Sequence, residues 1–120
     1  KIVMLAIQPK SITVHKADSI LEIVWKDEHV SRFPLFGLRK ACPCVVCKGG
    51  HAQMSIPADP KVFFEKPTRI VHINQIVPMG NYAIQIHWSD GHNSGMYRWE
   101  VLREWCPCIE CKPEFHTADN

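Results

Sequence analysis

The six cysteines of the chain stand in two triplets of one form, Cys42-Pro-Cys44-x-x-Cys47 and Cys106-Pro-Cys108-x-x-Cys111. Each triplet follows Leu-Arg-x-x, with Leu38 and Arg39 before the first and Leu102 and Arg103 before the second. Three sulfurs so close in sequence cannot all pair with one another, but three thiolates can all point at one ion. The chain is therefore read as two copies of a metal-holding unit, with the rest as the scaffold that brings in a fourth ligand.

The repetition extends well beyond the cysteines. Trp25 and Trp88, Asp27 and Asp90, His29 and His92, and Ser31 and Ser94 recur in the same order. In the first half, residues 12–15, 21–25 and 30–33 read as strands rich in β-branched and aromatic residues. Residues 26–29 form a polar turn. Pro34 suits a first helical turn, so 34–40 reads as a short helix. It should stop near Cys42, because the residue before Pro43 is pushed out of the helical region. Gly49 and Gly50 open a linker that runs through Pro57, Pro60 and Pro67, with residues 62–64 tucked back onto the core. In the second half, 70–72 is expected to repeat the first strand, 82–88 the second, 94–97 the third and 98–105 the helix. The offset is 58 at Pro9/Pro67, 63 at the tryptophans and 64 at the cysteines.

The expected fold is thus α+β: internally duplicated β-β-β-α units with short helices, antiparallel strands packed around a pseudo-twofold. The 120 residues make one domain, with half-repeats at about 9–48 and 67–112 and a linker at 49–66. A half of that size cannot close a core alone, whereas two can. The polar residues 114–120 read as a frayed tail.

Composition narrows the function. A 46% hydrophobic and 22% charged chain is one that folds rather than stays disordered. A net charge of +2, no basic run and no nucleic-acid-reading motif argue against a nucleic-acid partner. Six thiolates and two divalent ions would bring that charge to zero. No apolar run approaches a membrane span. Residues 1–7 are too short, and lack a following cleavage site, to read as a signal peptide. Cysteines bunched in threes without a leader point to metal in a reducing intracellular compartment, cytoplasm or organelle matrix, rather than to a disulfide framework. The motifs of phosphate loops, serine hydrolases and zinc proteases are absent, as is a His-x-Asp/Glu start for an iron site, so no enzyme is expected.

Three cysteines and one histidine form a common closed zinc set. Two choices of histidine stay open on the residues alone. His51, four after Cys47, and His116, five after Cys111, are local. His92 and His29 sit in equivalent turns and would donate crosswise, bolting the halves together. Spacing alone leans to the local pair. His15, His72 and His87 read as surface or half-buried strand residues. Trp25, Trp88, Phe33 and Phe36 read as core. Arg39 and Arg103 either pair with Asp90 and Asp27 or are solvated.

The run Trp88-Ser-Asp90-Gly-His92, followed by Tyr97, Trp99, Leu102, Arg103 and the Cys106 triplet, resembles the DUF971 family. That family is similar to the N-terminal domain of gamma-butyrobetaine hydroxylase and trimethyllysine hydroxylase. The first half, from Trp25 to Cys47, matches too, so the likeness covers roughly residues 10–112. The resemblance implies a structural zinc held by Cys42, Cys44, Cys47 and His92, which favours the crosswise choice. A second site of Cys106, Cys108, Cys111 and His29 follows by internal symmetry. The hydroxylase activity does not carry over, because the catalytic barrel is absent here. DUF971 domains also look like the C-terminal piece of plastid Mrp-type ATPases that carry iron–sulfur clusters. The expectation is therefore a non-enzymatic zinc-binding interaction or regulatory module with an unknown protein partner, a homodimer being possible. The alternative is an accessory factor in iron–sulfur cluster assembly or delivery.

Overall fold

Alternation of apolar and polar residues places the two central strands. In Ile20–Trp25, Leu21, Ile23 and Trp25 are buried and their neighbours half-buried, the period of a pleated strand with one face inward. Ala83–Trp88 repeats this, with Ile84, Ile86 and Trp88 buried. The computed structural model describes residues 7–42, 60–93 and 95–113. Within them, β1 (Pro9–His15), β2 (Ile20–Trp25) and β3 (Val30–Pro34) form one antiparallel sheet, followed by α1 (Leu35–Lys40). β4 (Ile73–Met79), β5 (Ala83–Trp88) and β6 (Met96–Arg98) form a second, followed by α2 (Trp99–Glu104). The fold is α+β, and the two β-β-β-α units are consistent with internal duplication.

Register carries the likeness further than composition does. β1 pairs with β2 from Pro9↔Trp25, with an irregularity between Pro9 and Ser11. β4 pairs with β5 from Ile73↔Trp88, with the same irregularity between Ile73 and Gln75. Ile73 therefore stands where Pro9 does, and the first strand of the second half is 73–79 rather than the expected 70–72. Pro67 was a misleading marker, and Pro78 disguised the true strand. Proline is tolerated there because β4 is an edge strand, where one row of N–H groups has no ladder partner. Of the segment expected as a strand, Val71 is buried but Ile70 is 77% exposed.

The register also corrects one equivalence. Ile23 pairs with Ser31, and the Ile86 N–H donates to the Gly95 carbonyl. The counterpart of Ser31 is thus Gly95, not Ser94, which lies outside the described residues. The Trp25 indole N–H donates to Ser31 Oγ at 2.8 Å. Gly95 offers no hydroxyl, and the buried Trp88 N–H has no hydrogen-bond partner among the described residues.

One hydrophobic cluster joins both halves. Trp25 meets Trp99 edge-on at 6.4 Å between centroids. In the expected linker, Pro60–Phe64 is a 3-10 helix that inserts Phe63 between Phe33 (5.4 Å) and Trp105 (5.8 Å). Gly37 permits this close approach, since a Cβ there would lie 2.6 Å from the Val62 carbonyl oxygen. The Tyr97 hydroxyl donates to the Leu38 carbonyl at 2.8 Å, tying β6 to α1. Phe33 is core as expected, whereas Phe36 is only half-buried and lies beneath Lys40. Among the described residues, no helix is long and apolar enough to cross a membrane.

Candidate metal centre

Each histidine turn is built the same way. In the turn after β2, Asp27 Oδ1 accepts the His29 backbone N–H at 3.1 Å, and Trp25 N–H donates to the His29 carbonyl. In the turn after β5, Asp90 Oδ1 accepts the His92 N–H at 3.0 Å, and Trp88 N–H donates to the His92 carbonyl. Such Asp side-chain turns hold a tight reversal without a longer loop. The residue between Asp and His takes positive φ in both, 74° at Glu28 and 87° at Gly91.

The other oxygen of each aspartate reaches into the opposite half. Asp27 Oδ2 accepts from Arg103 Nη2 at 3.3 Å, and Asp90 Oδ2 from Arg39 Nε at 3.0 Å. The arginines sit in the last turn of α2 and α1, just ahead of the cysteine triplets. These are the Arg–Asp pairs weighed from the sequence, and they are reciprocal, as a pseudo-twofold requires. The backbone N–H of His29 holds Asp27 below the usual carboxylate range; burial pushes upward, and the Arg103 guanidinium adds to the lowering. At Asp90 burial pushes upward, but the His92 N–H, Arg39 and Arg69 outweigh it.

Docked in this way, the His29 ring enters the second cysteine loop. Its Nε2 lies 3.2 Å from Cys106 Sγ and 3.5 Å from the sulfurs of Cys108 and Cys111. All four donor atoms lie within 4.8 Å of one another. This cluster could hold a metal ion, and its donors come from both halves. No disulfide is present among the described residues. Cys106 is buried, and burial pushes its thiol up to about 11 despite a hydrogen bond from Ser31. Cys108 is more open. Burial raises its thiol, but the Cys111 N–H, the Cys106 and Cys111 thiols and the Glu110 N–H together bring it below the ordinary value. Arg103 Nη1 approaches Cys111 Sγ at 3.8 Å, and Lys112 Nζ donates to the Glu104 and Cys106 carbonyls at 2.7 and 3.3 Å. The lysine thus closes the end of α2 over the loop. Nothing in the sequence singles out Lys112, and Ser31 stands out there only as a repeat partner of Ser94; the folded loop gives both their partners.

The first-half site is described in part. Cys42 Sγ and His92 Nε2 lie 3.2 Å apart, again across the halves. Cys44, Cys47 and His51 lie outside the described residues, as does His116 beside the second triplet. A Cβ on Gly95 would sit 2.8 Å from Cys42 Sγ, so the sulfur rests directly against the backbone just ahead of β6. Burial and then the Arg39 charge lower His92, against the pull of Asp90, which favours the neutral imidazole that can ligate. His15 and His87 lie in strands, and His15 hydrogen-bonds Glu22. His72 is exposed ahead of β4, and its N–H donates to Ser89 Oγ. None of these three joins the donor clusters among the described residues.

Residues 12–103 match the family described as gamma-butyrobetaine hydroxylase-like, N-terminal. The chain belongs to this family. The match includes Cys42, Cys44, Cys47 and His92 but ends before Cys106, so the second triplet falls outside it. A DUF971-family protein of unknown function from Acidithiobacillus ferrooxidans, known from its crystal structure, is 34% identical. The match covers 86% of this chain and 97% of that one, with a TM-score of 0.62. Two proteins known from NMR solution structures, each 22% identical, cover 94% of this chain with TM-scores of 0.66 and 0.57. The matches take in 83% and 87% of those chains, and they show the fold alone. No curated protein matches the chain.

Proposed function

We propose that this gamma-butyrobetaine hydroxylase-like N-terminal domain is a non-enzymatic zinc-binding module. Its metal is structural and fastens one half to the other. The observation that carries this reading is the convergence of His29 with Cys106, Cys108 and Cys111 within 4.8 Å. With Zn–S near 2.3 Å and Zn–N near 2.0–2.1 Å, a tetrahedral ion sets nitrogen and sulfur about 3.6 Å apart. The three N···S distances of 3.2, 3.5 and 3.5 Å are close to that edge. Four protein donors leave no position for water or substrate, the mark of a structural rather than a catalytic zinc. The same compactness weighs against an iron–sulfur cluster, whose ligand sulfurs bind different irons and so stand further apart. Cys42 and His92 support a second, equivalent ion completed by Cys44 and Cys47.

A bound ion supplies Lewis acidity and charge neutralisation to the thiolates. The chain supplies the orientation: Asp27 and Arg103 aim His29, and Ser31 and Lys112 steady the Cys106 end of the loop. The partner we assign is a protein, a second copy of the chain included, met by a surface that carries exposed Ile109 on the cysteine loop. The test is metal content per chain by mass spectrometry on untagged protein purified anaerobically, with a visible spectrum and melting before and after chelation. Near two zincs, no colour and a large loss of stability on chelation are expected. Iron with sulfide and a brown band would replace this reading with cluster delivery. Melting unaffected by complete metal removal would refute the structural role.

A further inference from the structure

We infer that the groove beside α1 is a binding site for a small polyanion, a molecule bearing several phosphate or carboxylate oxygens. The groove has a volume of about 410 Å³ and is lined by Arg39, Lys40, Lys66, Arg69, Thr68 and Glu65, with Phe36 as an aromatic wall. Small-molecule sites run from about 300 to 1,000 Å³. Four cations and one carboxylate give the lining a formal charge of +3, counted from the residues named. The whole chain carries only +2. Asp90, which Arg39 and Arg69 share, lowers the local sum to +2, equal to the excess of the whole chain, so the positive excess is concentrated here. Such a concave lining, positive on balance, focuses potential on an anion.

The duplication provides an internal control. At the offset of 64 given by the cysteines, Phe36 and Lys40 correspond to Glu100 and Glu104. Arg39 corresponds to Arg103, whose partner Asp27 serves the histidine turn. The arginine is thus common to both halves and belongs to the turn. Lys40 thus has an acidic counterpart and Lys66 lies in the linker, so neither belongs to the metal scaffold, whereas Arg69 also braces Asp90.

The cations are not all spent internally. Arg39 and Arg69 share one oxygen of Asp90, at 3.0 and 3.5 Å. Lys40 pairs with Glu65 and lies 5.9 Å from the centre of the Phe36 ring. Lys66 is exposed and has no ion pair among the described residues. Arg69 is half-exposed, its side chain 52% accessible. A ligand with separated anionic oxygens can take Lys66, the outer face of Arg69 and the Thr68 hydroxyl while the Asp90 pairs stay in place. Planar guanidinium and flexible ammonium donors together suit phosphate or carboxylate oxygens.

The experiment titrates the metal-loaded protein with pyrophosphate and, separately, citrate, by calorimetry and by amide shifts in NMR at low and high salt. The variants are the charge reversal Lys66→Glu combined with Thr68→Val, which leave the Asp90 pairs intact, and, as a charge-matched control, Arg98→Glu on β6. Saturable binding of at least one probe is expected, with shifts centred on residues 65–69. It should weaken roughly tenfold or more in the reversal and far less in the control. Whichever probe binds more tightly names the oxygen chemistry. Absence of saturable binding, or equal weakening by the reversal and the control, would overturn the site. Circular dichroism and metal content, unchanged in the variants, separate this result from any failure of the zinc reading.

Discussion

His29→Ala removes the one donor that the first half gives to the described cluster, and its consequences can be worked out in advance. The variant leaves three thiolates and an open position on the ion. Altering even residues behind the ligands commonly costs 10–100-fold in metal affinity. Loss of a ligand should cost at least about 100-fold, or about 2.7 kcal/mol of stability at fixed free zinc. At roughly 2.1 cal/mol/K per residue of unfolding entropy, this lowers the melting temperature by about 11 °C. The imidazole also packs, since its side chain is only 17% exposed, and losing that contact costs about 1 kcal/mol more. The two contributions are separable. With zinc present, wild type and variant should differ by the full amount. In excess chelator only the packing remainder, about 4 °C, should survive. Competition against a fluorescent zinc chelator gives the affinity change directly, whether or not the metal-free chain stays folded. An undiminished gap in chelator, with unchanged zinc affinity, would make His29 a packing residue and end the crosswise argument.

Asp27→Asn keeps an oxygen for the His29 N–H but loses the charge facing Arg103, whereas Asp27→Ala loses both. Zinc affinity should fall less than about tenfold in the first and roughly 10–100-fold in the second, by the same competition assay. Equal losses would show that the charge, not the turn, aims the ring. Gly37→Ala should destabilise by roughly 1–3 kcal/mol in urea melts, although alanine is the better helix former by about 1 kcal/mol. The new Cβ would lie 2.6 Å from the Val62 oxygen and 2.9 Å from Phe63 Cα, neither of which can swing aside. pH should act in opposite directions with and without metal. Zinc requires deprotonated ligands, so the loaded protein loses its ion and its stability as pH falls. In the metal-free protein, burial pushes Cys106 up to about 11. The unfolded chain then gives up that proton first, so metal-free stability should decline as pH rises from about 9 toward 11. A rise over that range in urea titrations would contradict the burial argument.

Much of this was legible in the residues because duplication gives every feature a second reading. A single Trp-x-Asp-x-His turn is a weak signal, but two at one offset mark equivalent places in a fold. The strands around Trp25 and Trp88 followed from alternation, and the short helices from Pro34 and the Leu-Arg pairs. The first strand of the second half was misplaced because Pro67 imitates Pro9, while the real strand holds Pro78. Only the ladder from Ile73 to Trp88 reveals that an edge can carry this proline. Local spacing does not point to His29. It is 82 residues from Cys111, yet its Nε2 stands 3.5 Å from that sulfur; His116, five residues from Cys111, lies outside the described residues. Separation along the chain says nothing of distance once two halves pack face to partner. Likewise Arg39 and Arg103 could not be told from solvated arginines until the turns that receive them were in place.

The crosswise arrangement also sets a timetable for synthesis. His29 and Cys106 are separated by 77 residues, and Cys42 and His92 by 50. At about 5–20 residues per second, His29 leaves the ribosome roughly 4–15 s before the cysteines it faces. Until His92 follows, 50 residues after Cys42, the first triplet holds three thiols and no histidine from the other half. On the proposed ligand set, one ion cannot be enclosed until His92 has emerged, and the other not until Cys111 has. A chain that stops early offers loose thiols and no closed site, and lacks the cross-link that would shield it from proteases. Retention of metal would then distinguish finished molecules from unfinished ones.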